Sequence, residues 1–205
     1  KSRVAECVGG FWGLPFRNLE TTKYISIHFM HLSEKIKAIV RDVPDFPKPG
    51  IIFKDIVPLF SNHDLCKEMV TELAEQFKQI KIEGIACIES RGFFLGMMIA
   101  QKLQVPFIPL RKKGKLPYKT VSVQYDLEYG SETLEMHIDS VRSGQHILIH
   151  DDLLATGGTA YAASQLIQNA GGKIAAFAFI IELGFLQGKE KLLAVNENVI
   201  ALAEY

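Results

Sequence analysis

The segment Ile147-Leu-Ile-His-Asp-Asp-Leu-Leu-Ala-Thr-Gly-Gly-Thr-Ala160 constrains the fold more than any other part of the chain. Its apolar start, His146 to His150, suits a strand buried on both faces, as in parallel sheets covered by helices. That strand ends in Asp151-Asp152, and a loop rich in Thr and Gly follows. Tyr161 to Asn169 then reads as a helix closed by Gly171-Gly172. Lys173 to Leu183 is a long apolar strand, and Val199 to Leu202 a last short one.

The upstream half alternates in the same way. From Leu32 to Asp42, Leu32, Ile36, Ile39 and Val40 fall on one helical face, with Ser33 able to cap its start. Val43-Pro-Asp-Phe-Pro-Lys-Pro-Gly50 forbids helix, and Ile51 to Ile56 leaves it as a short extended piece. Asp64 to Lys81 is helical, with the stripe Leu65, Met69, Leu73 and Phe77. Gly84 to Glu89 is a buried strand, Phe93 to Leu103 a helix and Val105 to Leu110 a strand. Val121 to Leu127 and Thr133 to Ile138 alternate like antiparallel partners around Glu128-Tyr-Gly-Ser131. Strands alternating with helices imply an α/β domain with a mostly parallel sheet and one antiparallel hairpin.

The 205 residues, 48% of them hydrophobic, fit one domain with a full core. Lys plus Arg equals Asp plus Glu, which argues against general nucleic-acid affinity. No apolar stretch approaches the roughly 20 residues of a membrane span. Three cysteines in no metal-binding spacing point to reduced thiols and a cytoplasmic setting. Residues 1–29 mix Gly, aromatic and basic residues without clear periodicity. They lack the layout of a signal peptide and only weakly resemble a transit peptide. The preferred reading is a cloning remnant or an upstream-translated extension, with Met30 as the natural start and 30–205 as the domain.

The Thr156-Gly-Gly-Thr159 turn can aim several backbone N–H groups into one hollow at a helix start, where the helix dipole favours an anion. It reads as a phosphate cup. Two acids beside it cannot bind the same phosphate, but they accept hydrogen bonds from vicinal hydroxyls. Cup and acids together read as a ribose-5-phosphate site at the carboxyl end of a strand. The plainer alternative is a strand-end turn with solvated acids.

Here the residues carry a resemblance. The segment is similar to the phosphoribosyl pyrophosphate signature of the type I phosphoribosyltransferases. The form Asp151-Asp-Leu-Leu-Ala-Thr-Gly-Gly-Thr159 resembles the adenine-specific branch. Four further matches follow the family's order: Phe46-Pro-Lys-Pro-Gly-Ile-Ile-Phe-Lys-Asp-Ile56, Glu89-Ser-Arg-Gly92, Arg111-Lys-Lys-Gly-Lys-Leu-Pro117 and Leu127-Glu-Tyr-Gly130. The resemblance spans Leu32 to Tyr205. It implies a sheet flanked by helices with a flexible hairpin lid, and transfer of phosphoribose from 5-phosphoribosyl 1-pyrophosphate to N9 of adenine. AMP and pyrophosphate are the products, Mg²⁺ is held mainly by substrate and water, and the enzyme is a homodimer.

The resemblance also assigns residues. Asp151, Asp152, Ala155, Thr156, Gly157, Gly158 and Thr159 take the phosphoribosyl group. Ser90, Arg91, Arg111, Lys112 and Lys115 face pyrophosphate, with a strained or cis peptide before Arg91 and with Arg111 acting across the dimer. Ile52, Phe53 and Lys54 hold adenine: Ile52 through its backbone, Phe53 by stacking. Glu128 and Tyr129 lie in the lid, where Glu128 holds or shuttles a purine proton. Plainer readings stand beside these: a salt bridge for Arg91, a solvated face for the cation run, core packing for Phe53 and an exposed hairpin acid for Glu128. Two residues depart from the pattern. His150 replaces an aliphatic residue and reads as a packed structural histidine. Lys54 stands where many relatives carry Arg, so contacts of a planar guanidinium do not transfer to it. Rival functions are transfer to hypoxanthine, guanine or xanthine, and a non-catalytic sensor of purine or phosphoribosyl pyrophosphate.

Overall fold

The computed structural model describes residues 30–127 and 130–205. Residues 1–31 and 32–205 form separate units, and the fold below belongs to the second. Its helices are α1 (Leu32–Ile39), α2 (Val57–Phe60), α3 (His63–Gln76), α4 (Gly92–Leu103), α5 (Gly158–Asn169) and α6 (Gly188–Leu193). Its strands are β1 (Arg41–Pro44), β2 (Ile52–Asp55), β3 (Gly84–Ile88), β4 (Phe107–Lys112), β5 (Thr120–Leu127), β6 (Gly130–His137), β7 (His146–Leu154), β8 (Lys173–Glu182) and β9 (Val199–Glu204).

Strands β3 to β9 make one sheet in the order β5-β6-β4-β3-β7-β8-β9. The run β4-β3-β7-β8-β9 is parallel, and β6 joins it antiparallel, carrying β5 as the outer strand of a hairpin. Alternate residues feed two cores, as strand geometry demands. Ile85, Cys87 and Leu148 pack with Met69, Leu95 and Ile99 under α3 and α4. Ala86, Ile88, Ile147 and Ile149 pack with Ala163, Leu166 and Ile167 of α5. Burial on both faces explains why these strands read as unbroken apolar runs; each large aliphatic side chain removed from water contributes about 1.5–3 kcal/mol.

Among the boundaries that differ from the sequence expectation, three bear on the argument. The first helix stops at Ile39 instead of Asp42, because Arg41–Pro44 pairs antiparallel with Ile52–Asp55. Two cross-strand ion pairs support that ribbon, Arg41–Asp55 at 2.8 Å and Lys54–Asp42 at 2.7 Å, and Pro44 disfavours helix at Val43. The helix expected to reach Lys81 ends at Gln76, and Phe77 turns fully into the core. The third matters for function. β7 does not end at His150; it continues to Leu154 because β8 stays paired with it, Leu154 opposite Glu182. On its other side the pairing with β3 stops at Cys87 opposite His150. Asp151 and Asp152 therefore sit in a strand that is laddered on one side and released on the other, beyond the end of β3.

His150 is a packed residue. It is fully buried, and its Nδ1–H donates to the Ala178 carbonyl at 2.9 Å, leaving Nε2 buried without a partner among the described residues. Burial holds its pKa down to about 4. A depressed histidine pKa contributes nothing above the unfolded value near 6.5, where both states are neutral. Between that value and about 4 the unfolded chain takes a proton that the native state refuses, and stability falls. The full loss is about 3 kcal/mol. Urea unfolding at pH 7.5 and pH 4.5 is expected to show most of this loss, and His150→Leu is expected to abolish that part. An equal acid loss in that variant would assign the effect to other groups.

Candidate active site

The site gathers where β3 and β7 end. After Ile88 the chain turns through Glu89-Ser-Arg into α4, and Gly92 seats this turn on His150 and Asp151: a Cβ there would stand 3.0 Å from Asp151 Oδ1 and 3.1 Å from the His150 carbonyl oxygen. Only glycine permits so close an approach. The cis peptide of this turn is Glu89–Ser90, one bond earlier than the Ser90–Arg91 position expected from the resemblance.

Asp151 keeps some solvent contact at its rim yet stands deep among protein atoms. Burial and the neighbouring Asp152 carboxylate push its acid well above the usual range, against the opposing pull of Arg91. Asp152 is nearly fully buried, and its Oδ2 lies 2.9 Å from Arg91 Nε outside hydrogen-bond geometry. The Arg91 guanidinium also sits over the Phe53 ring, 5.3 Å from its centroid. One cation thus links the acid pair to the aromatic of the Pro-rich loop. The salt-bridge reading of Arg91 describes this chain as it stands, and its position between acid and ring is what sequence reasoning missed.

The cup is built by backbone. Gly157 caps α5 at φ +73°, a left-handed conformation, and no side chain caps the helix. The first N–H groups of a helix lack internal partners and offer themselves to an anion. Gly188, at the start of α6, packs directly on this loop: a Cβ at Gly157 would meet the Gly188 carbonyl oxygen at 2.6 Å, and one at Gly188 would collide with the Ala155 carbonyl oxygen. This facing glycine carries no motif signal of its own. Only the fold brings it to residues 155–157.

The cation run divides. Arg111 Nε and Lys115 Nζ each lie 2.7 Å from a different oxygen of Glu89, whose side chain is only 4% exposed. Burial alone would raise the Glu89 carboxyl, but the Lys115 and Arg111 hydrogen bonds outweigh it and hold it below the ordinary range. Arg111 also donates to the Lys115 carbonyl at 3.1 Å, and Gly114 N–H donates to Glu135 at 3.0 Å. Two cations are therefore fixed beside the Glu89 turn of their own chain. Lys112 is turned the other way, onto Glu132 of β6 at 3.0 Å, so the structure does not bring it to this cluster.

The Pro-rich loop supplies an aromatic platform. Phe46 and Phe53 meet edge to face, 5.2 Å apart. Ile52 is 59% exposed. Lys54 points away from that platform, bound to Asp42 at 2.7 Å with its ammonium 4.2 Å from the centre of the Tyr205 ring. Glu128 and Tyr129 lie outside the described residues.

A parallel sheet carrying an antiparallel hairpin, with an acid pair running into a glycine-capped helix start, is the arrangement of a type I phosphoribosyltransferase fold. The phosphoribosyl transferase domain family matches residues 60–200. A curated relative from Cytophaga hutchinsonii, an adenine phosphoribosyltransferase, is 51% identical over 174 residues, 85% of this chain and 96% of its own. The crystal structure of adenine phosphoribosyltransferase from Thermoanaerobacter pseudethanolicus superposes with a TM-score of 0.80 at 44% identity, covering 84% of this chain and 99% of that one. The Saccharomyces cerevisiae adenine phosphoribosyltransferase, complexed with an imino-altritol bisphosphate and adenine, gives a TM-score of 0.77 at 36% identity, covering 83% and 98%. This chain belongs to the adenine phosphoribosyltransferase family.

Gly157→Ala tests the cup. A left-handed non-glycine residue costs about 1–2 kcal/mol, and the new Cβ meets a backbone oxygen that cannot swing aside. The expected result is a rise of at least about tenfold in KM for 5-phosphoribosyl 1-pyrophosphate, the factor that about 1.4 kcal/mol represents, with the fold retained by circular dichroism. An unchanged KM would remove this turn from the phosphate site.

Proposed function

We propose that this chain joins adenine to 5-phosphoribosyl 1-pyrophosphate, forming the bond from N9 to ribose C1 and releasing AMP and pyrophosphate in purine salvage. The observation that carries the reading is the meeting of phosphate cup, acid pair and Glu89-held cations at one sheet end, in a chain of this family. The yeast relative, solved with adenine and a bisphosphate, supports the pairing of base and phosphorylated sugar in such a site.

Each residue has a physical task. Ala155 to Thr159 seat the 5-phosphate on backbone N–H groups. Asp151 and Asp152 accept hydrogen bonds from the ribose hydroxyls. Ser90, Arg91, Arg111 and Lys115 stabilise the departing pyrophosphate. Lys112, paired with Glu132 of the hairpin, stands apart from this group and rests on the resemblance alone. The Ile52 backbone reads the base edge, and Phe53 stacks on the purine. Lys54 acts from behind the loop. Displacement at C1 develops oxocarbenium character by analogy with glycoside transfer. The protein therefore needs to align N9 with C1 and neutralise the leaving group, more than to supply covalent chemistry. Glu128 holds or shuttles the purine proton in the lid, beside Tyr129.

The acid pair offers hard oxygens that suit Mg²⁺, with Asp152 Oδ2 shared with Arg91 at 2.9 Å; held mainly by substrate and water, the ion would supply positive charge to the leaving pyrophosphate. A homodimer belongs to this reading, supported by Phe94 and Met97 standing 51% and 55% exposed on α4, with Phe94 edge to face on Phe60. So does a cytoplasmic setting: the described cysteines, Cys66 and Cys87, are buried and unpaired, and no helix among the described residues is long and apolar enough to cross a membrane. Residues 30–205 form the catalytic unit.

The test is AMP formation from adenine, 5-phosphoribosyl 1-pyrophosphate and Mg²⁺, run beside hypoxanthine, guanine and xanthine. Turnover confined to adenine is expected. Preference for a 6-oxo purine would overturn the base assignment, and tight binding without turnover would make the chain a sensor.

A further inference from the structure

The ribbon β1–β2, which carries the base loop, is a separate two-stranded sheet with no ladder to the seven-stranded one. An isolated ribbon of two strands is marginal by itself, so side chains must hold it in place. Successive side chains on β2 point to opposite faces. Phe53 faces Arg91, and its neighbour Lys54 faces Tyr205.

Tyr205 is well placed to anchor. It directly follows β9. Its N–H donates to the Glu182 carbonyl at 2.8 Å, and its own carbonyl accepts from Gly184 N–H at 2.9 Å. Its backbone is thus tied to the end of β8. The Lys54 ammonium stands 4.2 Å from the ring centroid while bound to Asp42 on β1 at 2.7 Å. Lys37 of α1 approaches the same ring at 5.5 Å. Burial and the Asp42 charge push the phenol up to about 12, so the ring stays neutral. A neutral aromatic face attracts both ammonium groups.

We infer that Tyr205 is a positioning residue for the base: its ring seats Lys54 and so fixes the β1–β2 ribbon, holding Phe53 and Ile52 where adenine binds. The inference rests on the assignment of Ile52 and Phe53 to the base. It gives Lys54 a role that does not need the planar guanidinium of its relatives, since an ammonium over a ring suffices.

The experiment is a steady-state double-mutant cycle on the full chain with Tyr205→Leu, Lys54→Met and the pair, with Tyr205→Phe and Phe53→Ala alongside. Tyr205→Leu is expected to raise the KM for adenine about 3- to 30-fold, the range a partly desolvated cation–π contact carries. The KM for 5-phosphoribosyl 1-pyrophosphate and kcat stay unchanged. Tyr205→Phe restores the adenine KM, and the double variant is no worse than Lys54→Met alone. Additive effects, an unchanged adenine KM, or both KM values rising together would overturn the inference. If Tyr205→Leu does not fold, Lys54→Met and Tyr205→Phe still decide: a normal adenine KM in Lys54→Met overturns it. Phe53→Ala separates the two levels, because a normal adenine KM there refutes the base assignment itself.

Discussion

The Asp151→Ala, Asp152→Ala double variant is expected to lose affinity for 5-phosphoribosyl 1-pyrophosphate by about 10²–10⁴-fold, because a hydrogen bond to a charged acceptor contributes about 1.5–3 kcal/mol and two are removed. The geometry makes the loss specific. The pair sits where β7 has left β3 but remains laddered to β8, so Ala at both positions keeps the strand. Arg91 loses its partner at 2.9 Å, and the acid charge proposed to face the ribose disappears. The ladder to β8 is kept, so the variant is expected to stay folded, at some cost in stability from the unpaired Arg91, while binding far more weakly. Calorimetric titration together with thermal unfolding checks both halves. Normal affinity would return the two acids to the role of solvated strand-end residues.

Glu128→Gln is expected to slow the chemical step by about 10²–10⁴-fold, the contribution of a fully lost general acid–base. Glu128 follows Leu127, the last residue of β5, and precedes Gly130, the first of β6. The substitution keeps shape and reach while removing charge and basicity. Affinity for 5-phosphoribosyl 1-pyrophosphate is expected to hold, since the cup, the acids and the Glu89-held cations are all elsewhere. A lid that only excludes water predicts a smaller loss, because Gln completes the hairpin equally well. Single-turnover measurement separates these outcomes, because slow product release can hide a slower chemical step. An unchanged single-turnover rate in the folded variant would leave Glu128 as an ordinary lid residue.

The contrast between Arg111 and Lys112 shows why a cation run is hard to read from sequence. Adjacent residues on β4 point to opposite sides. One meets Glu89 and the other Glu132, yet in the sequence they are two equal charges. Lys54 teaches the same lesson: its neighbour Phe53 is on the platform side, and it is not. Periodicity placed the four longer helices and missed the short ones at Val57–Phe60 and Gly188–Leu193; it also missed where the first one ends, since Arg41 to Pro44 is taken from a helix by pairing with a strand ten or so residues later.

What the sequence by itself determined was the layered sheet and the glycine turn that opens the helix after β7. Those depend on local chemistry: unbroken apolar runs that must be covered on both faces, and a Thr-Gly-Gly-Thr turn whose Gly157 holds a left-handed conformation that other residues adopt only with strain. What only the tertiary structure decided was partnership: Gly188 against the cup, Glu89 holding two cations, Arg91 between acid and ring, and Tyr205 beneath Lys54. The physical reason is that a turn or a strand is specified by interactions within a few residues. Charge pairing and close backbone approach are set by distance in space, which the strand order creates by bringing together segments far apart in the chain.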